Sequence, residues 1–188
     1  MTIASTQTRF TPEDLLNLDG DGLYELVDGK LVEKRMSFLA GRTGVLISQR
    51  LGNYVETSHV GAVVQEISFQ CFPHDSDLVR RPDIAFIAAD RAKTIPDEGH
   101  VRIPPDLAIE VISPGDRIYE FEEKLADYRS AGIKLVWEVN PKFRYVRVHH
   151  ADRSSIRLEE GDTITGEGVL PGFSIRVKDL LPPISPEP

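Results

Sequence analysis

The sequence predicts an α/β fold: one mixed β-sheet with helices packed on its faces. Three observations carry this. Short apolar, β-branched runs at 61–72, 84–87, 107–112 and 134–139 read as strands. A helical pattern at 117–131 lies between the last two of these runs, where a crossover connection would lie. The chain has 188 residues and 40% hydrophobic content, enough for one ordinary core and too little for two. We therefore expect one domain over 11–181, a flexible segment over 1–10 and a Pro-rich tail over 182–188.

The elements follow in order. Thr11-Pro12-Glu13-Asp14 has the form of a helix start: a capping Thr, Pro at the first helical position, then acids near the positive end of the dipole. A short helix through Leu18 should follow. Leu23–Val27 and Lys30–Glu33 flank Asp28-Gly29, a strong hairpin signal. Phe38–Thr57 reads as a helix with Phe38, Val45, Leu51 and Val55 near one face, although Gly41, Gly44 and Gly52 weaken the pattern. Gly61–Phe72 alternates and reads as one strand. Ile84–Ile87 follows directly on Pro82-Asp83. Leu107–Ile112 is apolar apart from Glu110, as in a strand buried on both faces. Arg117–Ala131 is helical and Gly132 stops it. Lys134–Val139 and Phe143–His149 are strands joined at Asn140-Pro141. Short strands and turns fill Ser154–Val177, and Lys178–Leu181 forms a last helical turn.

Composition narrows the function. Met1–Phe10 is polar and lacks the apolar core of a signal peptide. No apolar run approaches the ~18 residues that span a bilayer. A soluble, cytoplasmic protein without a membrane partner is the expectation. The single cysteine, Cys71, lies among apolar residues and reads as a small buried hydrophobe. The five histidines show no zinc-like spacing with it. A net charge of -8 argues against a protein that coats nucleic acid by bulk attraction. It leaves room for a nuclease, which needs carboxylates at its centre and only a local basic face. Lys142, Arg144, Arg147, Arg153 and Arg157, opposed locally by Asp152, could form such a face or be solvated outer positions of strands.

Three charged residues stand out from their surroundings. Every neighbour of Glu110 in its strand belongs in a core. An unpaired buried carboxylate costs several kcal/mol, so Glu110 needs a metal, a basic side chain or backbone donors. Asp83 opens the next strand toward the N-terminus. It either caps a turn after Pro82 or converges with Glu110 on one hard cation; Mg²⁺ keeps several waters, so two carboxylates and a carbonyl suffice. On the 117–131 helix, Ile118, Phe121, Leu125 and Tyr128 form an apolar stripe. Lys124 falls beside it, about 60° from Phe121. It can snorkel to solvent or point across the sheet at Glu110. Glu122 and Glu123 fall outward, and Trp137 belongs to the core.

Pro82-Asp83 with Glu110-Val111-Ile112 resembles the PD-(D/E)XK nuclease pattern, except that Ile112 stands where that pattern has lysine. A longer resemblance runs from about Thr11 to Leu181 and is to the Uma2 family of restriction-endonuclease-like proteins. Its carriers are Tyr24–Gly29, Arg81–Ile84, Pro105–Pro114, Asp116, Lys124, Tyr128, Gly132–Val139 and Leu170–Phe173. The resemblance implies a restriction-endonuclease-like mixed sheet with flanking helices, and a lysine supplied from the helix after the glutamate strand. Lys124 matches that position. It further implies that Asp83, Glu110 and the Val111 carbonyl hold Mg²⁺ or Mn²⁺, that Lys124 steadies the attacking water, and that Glu25 is an accessory acid. The bare sequence favours a half-exposed hairpin position for Glu25. Arg81 could contact a phosphate or balance the acids; Arg80 has no assigned role.

The reaction implied is metal-dependent hydrolysis of DNA phosphodiesters, and the resemblance further implies a homodimer, since PD-(D/E)XK proteins often pair to address two DNA strands. Two other readings fit the residues: a catalytically idle nuclease-like domain that binds nucleic acid or protein, and a metal hydrolase acting on a small phosphoester.

Overall fold

A computed structural model describes residues 9–20 and 22–183. Most of the expected flexible start and most of the Pro-rich tail lie outside the described residues. Phe10 and Pro182 lie inside them and are anchored. Phe10 packs beside Leu15, Leu26 and Val79, and the Pro182 carbonyl accepts from Arg144 at 2.9 Å.

The chain begins with α1 (Pro12–Leu16), closed by a capping box between Thr11 and Asp14. Strands β1 (Tyr24–Val27) and β2 (Lys30–Glu33) form the expected hairpin. Asp28 and Gly29 both take positive φ, 51° and 73°, which a two-residue turn between twisted strands requires. Helix α2 (Phe38–Ser58) follows. The large sheet then collects β3 (Gly61–Gln65), β4 (Ile84–Ala88), β5 (Leu107–Val111), β6 (Leu135–Asn140), β7 (Tyr145–His150) and β8 (Ser155–Glu159), in that spatial order. A four-residue helix α3 (Ala89–Ala92), not expected from the sequence, follows β4. Helix α4 (Ile118–Ser130) connects β5 to its parallel neighbour β6, and all other neighbours pair antiparallel. The mixed α/β class expected from the sequence is the one observed. A small β9 (Thr163–Thr165) and β10 (Ser174–Arg176) pair and a 3-10 turn at Val177–Leu180 complete the chain. No helix among the described residues is long and apolar enough to cross a membrane.

Alternation divides β5 between two cores. Leu107, Ile109 and Val111 join Ile47 and Leu51 of α2, Trp137 and Val148 on one face. Ala108 joins Leu125 and Tyr128 of α4 and Val136 on the other. Glu110 shares the side of Ala108 and so faces α4. Each fully buried Leu, Ile or Phe here contributes about 1.5–3 kcal/mol of transfer free energy.

Three expectations are corrected. The inward stripe of α2 is Ala40, Thr43, Gly44, Ile47, Leu51 and Val55; Phe38 and Val45 are exposed. The inward face is carried by Ile47, Leu51 and Val55 with small residues at 40, 43 and 44, and the bulky Phe38 and Val45 stay outside. On α4, Ile118 is also exposed, so the inward stripe begins at Phe121. The run 61–72 is not one strand. It breaks at Glu66, whose φ is 52°, and resumes at Phe69, which bridges Arg80 and Val101.

Candidate active site

The β4–β5 register sets the site. Ile84 lies opposite Ile109, so Asp83, one residue earlier, lies opposite Glu110. Asp83 Oδ2 accepts from the Val111 amide at 2.6 Å. Ile112 N in turn donates to Val139 O at 2.8 Å, which leaves the Val111 peptide facing β4 and Asp83.

Helix α4 supplies the next layer. Lys124 and Tyr128, one turn apart, both reach Glu110. Lys124 Nζ donates to Oε2 at 3.2 Å, and the Tyr128 hydroxyl donates to Oε1. Lys124 therefore does not snorkel away; its ammonium lies between Glu110 and Glu25, 3.0 Å from Glu25 Oε1. Glu25 is 2% exposed, not half-exposed as its bare sequence context suggests. The hairpin is pinned by paired Leu26 and Val79 amides and carbonyls at 2.9 Å, which turns Glu25 inward beside Arg80. Glu25 accepts from Arg80 at 3.0 Å and from the Arg81 amide at 2.8 Å.

These contacts divide the charges. Burial pushes the Glu25 carboxyl up, but Lys124 and Arg80 outweigh it and hold it at about 2, below its ordinary 4.5. Burial, with Asp83 and Glu25 nearby, pushes Glu110 up to about 7 against the pull of Lys124 and Lys34. The shared lysine serves Glu25, which also has an arginine, and leaves Glu110 undercompensated. Burial disfavours the Lys124 ammonium, yet Glu110 and Glu25 together keep its pKa above the ordinary lysine value. It is a fixed cation, not a base.

Sequence reasoning missed three participants. Lys34, at the end of β2, donates to Asp83 Oδ1 and to the Arg81 carbonyl, both at 2.6 Å, and to Glu66 Oε2 at 3.1 Å. Glu66 enters from the break after β3. Arg80 joins Glu25 to Asp127 of α4, with Arg80–Asp127 contacts of 2.8 and 2.6 Å. With Glu25 read as half-exposed, the sequence carried no signal for Arg80. Tyr128 was visible as an apolar position, not as a donor. The Arg81 guanidinium donates to the Tyr24 and Glu66 carbonyls and so is tied to the fold. Cys71 is half-buried, and burial pushes its thiol up to about 12, which removes it as a nucleophile.

Glu25, Lys34, Glu66, Asp83, Glu110 and Lys124 all line one cleft of about 330 Å³. Among the described residues, no three His, Cys, Asp or Glu side chains converge as a metal cage. The donor set at β4–β5 is two carboxylates beside a backbone peptide, all hard oxygens. That set fits Mg²⁺ or Mn²⁺ with waters in the remaining positions and does not fit a thiolate or imidazole metal. The Lys34 ammonium, gathered by three oxygens, shows that the cleft already accommodates a cation.

Comparison with known proteins bears on the family and the fold. The model of the Uma2 family, described as "Putative restriction endonuclease", matches residues 12–178. The crystal structure of "a putative nuclease belonging to DUF820" from Anabaena variabilis ATCC 29413 superposes with a TM-score of 0.75. The match covers 91% of this chain and 97% of that one at 18% identity, and so establishes the shared fold. No curated protein matches the chain.

Proposed function

The chain belongs to the Uma2 family, and from that premise we propose that it is a divalent-metal-dependent endodeoxyribonuclease centred on Asp83, Glu110 and Lys124. The observation that carries the reading is the setting of Glu110. It is a buried carboxylate opposite a second carboxylate in an open cleft, with one lysine shared between it and Glu25. A structural ion pair alone would not need the second carboxylate opposite it.

Asp83, Glu110 and the Val111 carbonyl would hold Mg²⁺ or Mn²⁺. When bound, the ion supplies Lewis-acid polarisation of the phosphodiester and acidification of water. Lys124, kept protonated by its acids, orients the attacking water and offsets negative charge that builds on the phosphate. Glu25 and Arg80 aim Lys124 from behind and are positioning residues. Tyr128 holds Oε1 of the Glu110 carboxylate and leaves Oε2 to Lys124.

The test is cleavage of supercoiled plasmid and of single-stranded DNA with Mg²⁺ or Mn²⁺, against EDTA. Wild type should cleave in a metal-dependent way. Glu110→Ala and Lys124→Ala should each lose about a hundredfold or more, the scale of a group acting on the transition state. Cleavage that persists in Glu110→Ala would place the activity elsewhere. Metal binding without cleavage of any DNA would move the substrate to another phosphoester, and neither binding nor cleavage would leave the idle-domain reading.

A further inference from the structure

Lys34 sits where it must affect metal entry. Asp83 presents two oxygens. Oδ2 is committed to the Val111 amide at 2.6 Å, so Oδ1 is the one left to face an incoming ion. Oδ1 is the atom Lys34 holds, at 2.6 Å. The same ammonium reaches the Arg81 carbonyl at 2.6 Å and Glu66 Oε2 at 3.1 Å, so its three N–H groups are all engaged. A divalent ion on Oδ1 would stand within a few ångströms of this cation in a partly desolvated cleft, where like charges repel strongly.

The structure also provides a place for the ammonium to go. Glu66 Oε1 is buried and has no hydrogen-bond partner among the described residues. A buried acceptor without a donor is costly, and such atoms call for an explanation. Glu66 is brought in by a left-handed backbone turn, φ 52°, which a non-glycine residue rarely adopts. The break in the 61–72 run thus delivers a carboxylate with one oxygen on Lys34 and one unused.

We propose that Lys34 is a built-in cation that occupies Asp83 Oδ1 until a divalent metal displaces it, and that Glu66 receives the displaced ammonium. This rests on the metal-centre reading given above and adds to it a residue that sets the threshold for metal loading. Lys34 lowers apparent metal affinity and holds the acids together before the ion arrives.

The experiment is calorimetric titration of Mn²⁺, without DNA, into wild type, Lys34→Met, Glu66→Gln and the double variant. Lys34→Met should bind Mn²⁺ about tenfold more tightly or better, since a cation at contact distance is removed. Glu66→Gln should bind several-fold more weakly in the wild-type background and change little in the Lys34→Met background. Because Lys34→Met strands Asp83 and Glu66 without their counter-ion, its metal-free melting temperature should fall, and Mn²⁺ should raise it more than it raises wild type. Lys34→Gln takes its place if Lys34→Met does not fold. Equal or weaker binding by the Lys34 variant, with wild type still binding, overturns the displacement and leaves the metal centre standing. An equal Glu66→Gln effect in both backgrounds overturns the role of Glu66 as receiver. Absence of Mn²⁺ binding in wild type and variant alike overturns both the displacement and the metal-centre reading beneath it.

Discussion

At the residue scale, Glu110 and Glu25 share one lysine and respond to it in opposite senses, which gives metal-free stability a defined pH dependence. The folded Glu110 carboxyl lies at about 7, above its ordinary 4.5. The folded state therefore binds that proton more tightly than the unfolded chain. Its contribution is fully present below about pH 4.5 and is lost as pH rises through about 7. Glu25, held at about 2, contributes stability above its ordinary 4.5 and loses it as pH falls toward 2. Glu110→Gln imitates the protonated form. In EDTA, urea unfolding should show it gaining about 2 kcal/mol on wild type between pH 5 and pH 8. Parallel pH profiles would mean that Glu110 is not held up by its surroundings.

Asp83, Glu110 and Lys124 were legible in the sequence because each breaks a local pattern: an acid in an all-apolar strand, an acid at a strand mouth, a lysine beside a helix stripe. Lys34 and Glu66 break no pattern. Each follows the end of a short strand, where a charged residue is unremarkable, and only the tertiary meeting of hairpin and sheet reveals them. Glu25 illustrates the limit from the other side. Its strand alternation is compatible with either face, and the pairing of Leu26 with Val79 decides it.

At the scale of the element, the hairpin, the buried strand β5 and helix α4 were read close to their observed bounds. Their signals are local: Asp-Gly for the turn, an apolar run for the strand, Gly132 as the stop. The face of α2 was not legible. A long amphipathic helix with three glycines carries several plausible stripes, and packing against the sheet chooses among them. This has a direct check. Leu51→Ala should cost about 2–5 kcal/mol in urea unfolding, as for a filled core position, and Val45→Ala should stay within about 0.5 kcal/mol. Comparable losses at the two sites would restore the stripe expected from the sequence. The break after β3 was likewise invisible, since Glu66-Ile67-Ser68 continues the alternation while its backbone turns left-handed.

Across the whole molecule, the mixed sheet with helices on both faces followed from the order of strands and crossover helix, which is why the fold class was readable before its details. The surface was less readable. The basic run of 142–157 met only Asp152 in sequence, but the fold brings acids to it. Arg147 lies 3.4 Å from Glu138, Arg157 lies 2.7 Å from Glu159, and Arg144 pairs with Glu160. Three of its five cations are thus paired, in keeping with solvated strand positions more than with a free phosphate-binding face. Three cations of the acidic chain, Lys34, Arg80 and Lys124, are paired with the carboxylates of the cleft.

The central claim is that Asp83 and Glu110, brought opposite one another by the β4–β5 register, form one cation-binding centre. The most direct measurement is an anomalous difference map from crystals grown with saturating Mn²⁺. The account predicts a single strong peak in the cleft within coordination distance of the Asp83 and Glu110 carboxylates. A peak elsewhere, or no peak in the cleft at saturating Mn²⁺, would contradict it.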